Sequence, residues 1–196
     1  MTENKTKTKT KTKTSDVDPF ELVRRIKSRG PAPVHLWDPP FCGDMDLRIA
    51  GDGTWFHEGS PIRRPAMVRL FASILRLDSD RCYYLVTPVE KVRIQVEDCP
   101  FVIIAMEVEG SGPSQELQFE TNTGETIIAG EDHRLVFEAD TVTLEPHPIV
   151  HVRSGLNALL NRAVFYRLVN LAQTRNGKSG DTLGVWSAGE FFELSP

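Results

Sequence analysis

Arg64-Pro-Ala-Met-Val-Arg69-Leu-Phe71 has a counterpart far along the chain in Arg162-Ala-Val-Phe-Tyr-Arg167-Leu-Val169. Both keep an arginine, four intervening residues, then Arg-Leu and an apolar residue, at a spacing that suits a helix. Each is followed by a second matching piece, Leu85-Val-Thr-Pro-Val-Glu90 in the first case and Val185-Trp-Ser-Ala-Gly-Glu190 in the second. Those pieces read as the end of a strand, a turn and the start of the next strand. The same helix, strand, turn, strand order occurring twice points to two small halves related by duplication.

Outward from the first copy, the pattern predicts a helix beginning near Arg64, with Pro65 in its first turn and Val68, Phe71 and Leu75 on a buried stripe. Two short strands precede it at residues 47–49 and 54–56, joined through Gly51-Asp-Gly53, whose glycines supply the positive φ angles of a tight turn. Strands follow at 83–87 and 90–97. In the second, Val92, Ile94 and Val96 alternate with Arg93, Gln95 and Glu97, so one face is wet. From Cys99 the chain reads as all-β, with strands at 101–106, 116–120, 125–129 and 135–138 between glycine-rich turns. A long helix is expected from Ser154 as N-cap, carrying Leu156, Leu159, Leu160, Ala163, Val164, Leu168 and Leu171, and then strands at 183–187 and 190–194. Near the N-terminus, Asp18 followed by Pro19 and Glu21 makes a capping box, with Phe20, Val23 and Ile26 on one face and Gly30-Pro31 as the stop.

The resulting division is residues 1–16 as a disordered Lys/Thr-rich tail, 17–97 as an N-terminal α+β domain, and 98–196 as a C-terminal β-rich domain containing the long helix. The class is α+β: two related halves with repeated helix-strand-strand motifs, the second a bent antiparallel sheet closed by that helix.

With 40% apolar and 26% charged residues, the chain has the composition of an ordinary globular core. A net charge of −4 speaks against a sequence-independent nucleic-acid binder, so nucleic acid is not an expected partner. The longest apolar run, Phe101-Val-Ile-Ile-Ala-Met106, is far short of the roughly 20 residues that cross a bilayer, and no membrane span is expected. Three cysteines, Cys42, Cys82 and Cys99, without CxxC spacing read as reduced thiols of a cytoplasmic protein.

Several motifs fail on physical grounds. Ala172-Gln-Thr-Arg-Asn-Gly-Lys-Ser179 fits a relaxed P-loop pattern, but a helix precedes it and none follows, so it reads as a flexible loop. His147 and His151 have helical ligand spacing, yet Pro146 and Pro148 force the stretch to be extended, which holds the two rings roughly 13 Å apart, too far for one zinc. Val185-Trp-Ser-Ala-Gly189 lacks the first glycine of a nucleophile elbow. No cationic neighbour that would activate Cys42 can be named. No catalytic centre, metal site or cofactor is therefore expected.

The strongest polar signal is the arginine set Arg63, Arg64, Arg69, Arg162 and Arg167. Arg64 and Arg162 hold corresponding positions of the repeats, where guanidinium groups facing a shared junction would bind phosphate or carboxylate. Thr87 and Ser187 recur at matching strand ends, Trp186 offers a stacking surface, and Lys91 and Trp37 complete the candidate ligand-binding set.

Trp37-Asp-Pro-Pro-Phe-Cys-Gly-Asp-Met-Asp46, Asp52-Gly-Thr-Trp55, Gly59-Ser-Pro-Ile-Arg63, Tyr84-Leu-Val-Thr-Pro-Val-Glu-Lys91, Val96-Glu-Asp-Cys-Pro-Phe101, Asn161-Arg162 and Gly184-Val-Trp-Ser-Ala-Gly-Glu-Phe-Phe192 occur in that order. From about Val34 onward the sequence resembles an uncharacterised bacterial family, domain of unknown function 1285. The resemblance implies repeated structural motifs, a pleckstrin-homology-like C-terminal domain, and a domain interface that binds a nucleotide-like ligand in signalling. The expected function is thus a regulatory or sensory protein binding a small nucleotide-like anion between its halves. A protein-interaction module without a small ligand, engaging a protein partner, is the second class and an enzyme the third. Sequence does not fix the oligomeric state.

Overall fold

A computed structural model describes residues 31–139, 145–177 and 180–194. The expected tail and first helix lie outside the described residues. The elements in order are β1 (Phe41–Ile49), β2 (Trp55–His57), β3 (Ser60–Pro61), α1 (Pro65–Ser73), β4 (Leu75–Leu77), β5 (Tyr83–Val86), β6 (Lys91–Val96), β7 (Phe101–Glu109), β8 (Glu116–Thr121), β9 (Thr126–Ile128), β10 (Leu135–Ala139), β11 (Pro146–Arg153), β12 (Leu156–Leu160), α2 (Arg162–Val169), β13 (Gln173–Gly177), β14 (Gly180–Ser187) and β15 (Glu190–Glu193). The described chain is mostly β-sheet with two helices.

The duplication is visible in the strand order. The first sheet runs β3-β2-β1-β6-β5-β4, two three-stranded antiparallel meanders joined by the parallel pairing of β1 with β6. The second runs β10-β11-β12-β7-β8-β9, again two meanders joined by one parallel pair, here β12 with β7. The third sheet, β13-β14-β15, follows α2 just as β4-β5-β6 follows α1. The sheets curl so that β14 returns to β8: Gln115 Nε2 donates to Trp186 O at 2.8 Å, and Ala188 N donates to Gln115 O at 2.8 Å.

The halves share one core. Trp55 stacks on Phe71 at 6.1 Å, and both rings join Phe101, Ile103 and Phe119 in a single buried cluster. Polar contacts fasten the junction. Arg153 Nη2 donates to Ala72 O in the last turn of α1 at 2.8 Å, where a cation also meets the negative end of the helix. The same guanidinium holds the Glu125 carboxylate through Nε at 3.0 Å. Asn122 Nδ2 donates to Gly53 O at 3.1 Å. Gly53 has φ +81°, and a Cβ there would sit 2.5 Å from Asn122 Nδ2, so both the turn and the close approach require glycine.

Besides the second half's sheet, expected to be antiparallel but mixed because β12 pairs with β7 in parallel, two sequence expectations are corrected. Residues 156–160 form strand β12, and the long helix from Ser154 is absent. Ser154 and Gly155 have positive φ and make the tight turn between β11 and β12. Leu156, Ala158 and Leu160 are then buried in alternation, a period of two concealed among leucines that also fit a helix. The helix starts only after Asn161, whose side chain accepts from Val164 N at 2.8 Å, and α2 spans eight residues. The second correction concerns 172–179, read as a flexible loop, of which Gln173–Gly177 is strand β13 pairing with β14. Its polar residues satisfy a strand whose described side chains lie on the exposed surface.

Candidate functional site

Three hollows share lining residues, the first on the first half alone and the other two at the junction of the halves. The first, about 400 Å³, is lined by Arg63, Arg64, Met67 and Phe71 among others. It shares Ile62 and Arg63 with the second, about 320 Å³, to which the first half contributes Asp52, Thr54 and Trp55 and the second half Asn122. That hollow shares Asp52 with the third and largest, about 610 Å³, walled by Gly51 and Asp52 from the first half and by Ile104, Pro148, Asn161, Arg162 and Phe165 from the second. Arg64 therefore lines the first hollow and Arg162 the third.

The helices put them there. Arg64 is the N-cap of α1, and its side chain makes no capping bond. Arg162 is the first residue of α2, next to the capping Asn161. Arg64 and Arg162 thus each stand at the positive end of a helix. Among the described residues Arg63 and Arg64 make no ion pair, whereas Arg162 Nη2 lies 3.2 Å from Glu145 Oε2 with both side chains well exposed. An exposed pair of this kind contributes about 0–1 kcal/mol. Asp52 lies between the second and third hollows, its carboxyl held below the ordinary 3.8 chiefly by the hydrogen bond from Thr54 N. The second hollow thus carries both Asp52 and Arg63, and the third both Arg162 and Glu145. Trp55 Nε1, in the wall of the middle hollow, is buried with no hydrogen-bond partner among the described residues.

The other candidates lie elsewhere. Thr87 is fully buried, and its Oγ1 closes the β5–β6 turn, accepting from Val89 N at 3.3 Å and Glu90 N at 3.2 Å and donating to Glu90 O at 3.3 Å. Ser187, equally buried, donates to Ala129 O at 2.7 Å and accepts from Leu117 N at 2.9 Å. Both hydroxyls are thus committed to bonds inside the protein. Lys91 Nζ bonds Asp78 Oδ2 at 2.8 Å and lies 4.6 Å over the Tyr84 ring. Asp78 also takes Arg76 Nε at 2.5 Å, while Arg76 Nη1 donates to Trp37 O at 2.7 Å, so Lys91 and Trp37 belong to one network of the first half. Burial pushes the Asp78 carboxyl up, but the hydrogen bonds from Arg76 and Lys91 outweigh it and hold it below the ordinary range. Trp186 is half-buried against Phe191 at 5.0 Å. Of the seven candidates, only Arg64 and Arg162 line the groove.

Spacing along the chain gave no sign of a further cluster. His147 and His151 do lie along the extended strand β11, but His147 Nε2 sits 3.0 and 2.9 Å from the two oxygens of Asp98, forty-nine residues away. Cys99 adjoins them, and the donor atoms of Asp98, Cys99 and His147 all lie within 4.8 Å of one another. Burial, and then the charges of Asp98 and Glu138, push the Cys99 thiol well above its usual range. A spacing search of the histidines alone could not find this set, because its members meet only through the β6–β7 connection and the β11 register.

The fold and site define a protein of two related α+β halves with hollows at their junction. The model for "Domain of unknown function (DUF1285), N-terminal domain" matches residues 32–99, and that for "Protein of unknown function (DUF1285), C-terminal domain" matches residues 100–194. The chain belongs to the DUF1285 family. It is 53% identical to a DUF1285 family protein from Silicibacter pomeroyi DSS-3 whose crystal structure superposes with a TM-score of 0.85, covering 92% of this chain and 96% of that one. A DUF1285 family protein from Shewanella baltica OS155 is 31% identical with a TM-score of 0.51, covering 65% of this chain and 92% of that one. None of the curated proteins compared with the chain matches it. Among the described residues no helix is long and apolar enough to cross a membrane.

Proposed function

We propose that the protein is a cytoplasmic regulatory or sensory module in signal transduction that binds a nucleotide-like anion in the groove between its halves. The observation that carries this reading is the largest hollow, walled by both halves and bearing Arg162 at the start of a capped helix. The phosphate sits on Arg162 and the first turn of α2. The base lies against Ile104, Pro148 and Phe165, away from the Asp52 carboxylate. Arg64 forms the second anionic subsite at the far end. In this reading the curled second half is a pleckstrin-homology-like frame, with α2 inserted before its last three strands. Occupancy bridges the halves and changes how firmly they hold together, which is the signal. A thermal-shift screen of nucleotides, inorganic phosphate and phospholipid head groups tests this: a nucleotide that raises Tm in the wild type and not in Arg162→Ala supports it, and the absence of any stabilising anion contradicts it.

A protein-interaction module is the second reading. Leu36, Phe41 and Val89 expose large apolar side chains around the start of the paired strands β1 and β6, which favours a protein partner at that end.

A further inference from the structure

Asp98 and Cys99 lie on the short connection that carries the chain from β6 in the first half to β7 in the second. His147 projects toward them from β11, its backbone kept extended by Pro146 and Pro148. Glu138 stands directly opposite His147 in the antiparallel β10–β11 register, which puts its side chain on the same face. A thiol, an imidazole and a carboxylate therefore converge from two separate pieces of chain, with the exposed Glu138 on the same face beside them. Cys99 is 7% exposed, and the side chains of His147 and Asp98 are 22% and 33% exposed, so the cluster is largely shielded from water and still reachable.

A tether between the connection and β11 would need only the histidine and the carboxylate. The thiol is the addition such a tether does not explain. We propose that Asp98, Cys99 and His147, with Glu138 as the fourth donor, form a zinc-type divalent-metal site that pins the crossover between the two halves to β11. In a tetrahedral zinc site, metal–ligand bonds of about 2.0–2.3 Å set the donor atoms roughly 3.3–3.6 Å apart. The donor atoms of Asp98, Cys99 and His147 all lie within 4.8 Å of one another, so small side-chain rotations bring these three to that spacing, and Glu138 turns in from the facing strand. The ion takes the place of the proton between His147 Nε2 and Asp98, the thiol proton leaves to solvent, and the thiolate and imidazole favour zinc or cobalt over magnesium or calcium. His147 also lines the third hollow, but Cys99 and Asp98 do not, so the cysteine-based test below does not depend on the anion reading.

The test is a titration of the reduced full-length chain with Co²⁺. The expected result is one equivalent bound with a thiolate-to-cobalt charge-transfer band, displacement of that band by Zn²⁺, and a rise in Tm with Zn²⁺. The Cys42→Ser/Cys82→Ser double variant keeps the band. Cys99→Ser loses it while retaining the circular dichroism of the wild type, and His147→Asn weakens Co²⁺ binding at least tenfold. A folded wild type with no charge-transfer band overturns the proposal, as does a band that survives in Cys99→Ser or binding of Mg²⁺ in preference to Zn²⁺.

Discussion

Thr87 and Ser187 occupy matching positions of the two repeats, and both hydroxyls are fully buried, yet they do different work. Thr87 bonds only within its own turn, to residues two and three places on. Ser187 reaches across the molecule to Leu117 N and Ala129 O, fastening the third sheet to the second. In the first half the strands after the helix complete their own sheet through the β1–β6 pair, so the turn hydroxyl has only local groups to satisfy. In the second half the strands after the helix form a separate sheet, and the same hydroxyl becomes a bond between sheets. Repetition kept the residue type while the connectivity around it changed its role.

That contrast can be broken directly. Ser187→Ala leaves a buried N–H and a buried carbonyl without partners and should cost about 3 kcal/mol in urea unfolding. Thr87→Val removes only turn bonds longer than 3.1 Å, leaves the backbone bond from Thr87 N to Glu90 O, and should cost about 1 kcal/mol. Equal losses for the two would refute the division of roles. Arg153→Met should fall between them, at about 2 kcal/mol, because it frees the last turn of α1 and strands the half-buried Glu125 carboxylate. A double-mutant cycle with Glu125→Gln separates the ion pair from the bond to Ala72.

Acid sharpens the comparison further. The first repeat carries the Arg76–Asp78–Lys91 network, whose side chains are each a fifth exposed or less, whereas the Arg175–Glu193 pair of the second is about half exposed. The folded-state pKa of Asp78 lies below its ordinary 3.8. Its contribution is therefore fully present above that value and is lost as pH falls through the lower folded pKa. Asp78→Asn should flatten the acid limb of the stability curve, while Glu193→Gln leaves it unchanged. The smallest effect is at the alkaline end. The hydrogen bond from Tyr84 to Asp80 pushes the phenol up to about 12, so its contribution is present below 10 and fades as pH rises toward 12. Tyr84→Phe should remove the corresponding late component from an ultraviolet titration.

Much of this was legible in the sequence. The alternation at Val92 and Ile94 gave β6, Pro65 and the Val68–Phe71 spacing gave α1, and the two Arg-Leu pieces gave the duplication. The β11–β12 hairpin was not, because Pro148 obscures a strand and Leu156 and Leu160, four apart, satisfy two periods at once. In the site, Arg64 and Arg162 stood out because they repeat and line the groove. Thr87 and Ser187 repeat too, but for packing, which spacing alone cannot distinguish from binding. The Asp98–Cys99–His147 cluster depends on strand register between distant segments and left no local mark.

The central claim is that one groove, with a guanidinium at each end, takes an anionic ligand between the halves. Isothermal titration of the best nucleotide from the stability screen into wild type and into Arg64→Ala/Arg162→Ala, at low and high salt, tests it most directly. The account predicts a single site per chain in the wild type, a salt-sensitive affinity, and at least a tenfold loss for each arginine removed, as expected of a charged hydrogen bond to phosphate. Unchanged affinity in the double variant would contradict it.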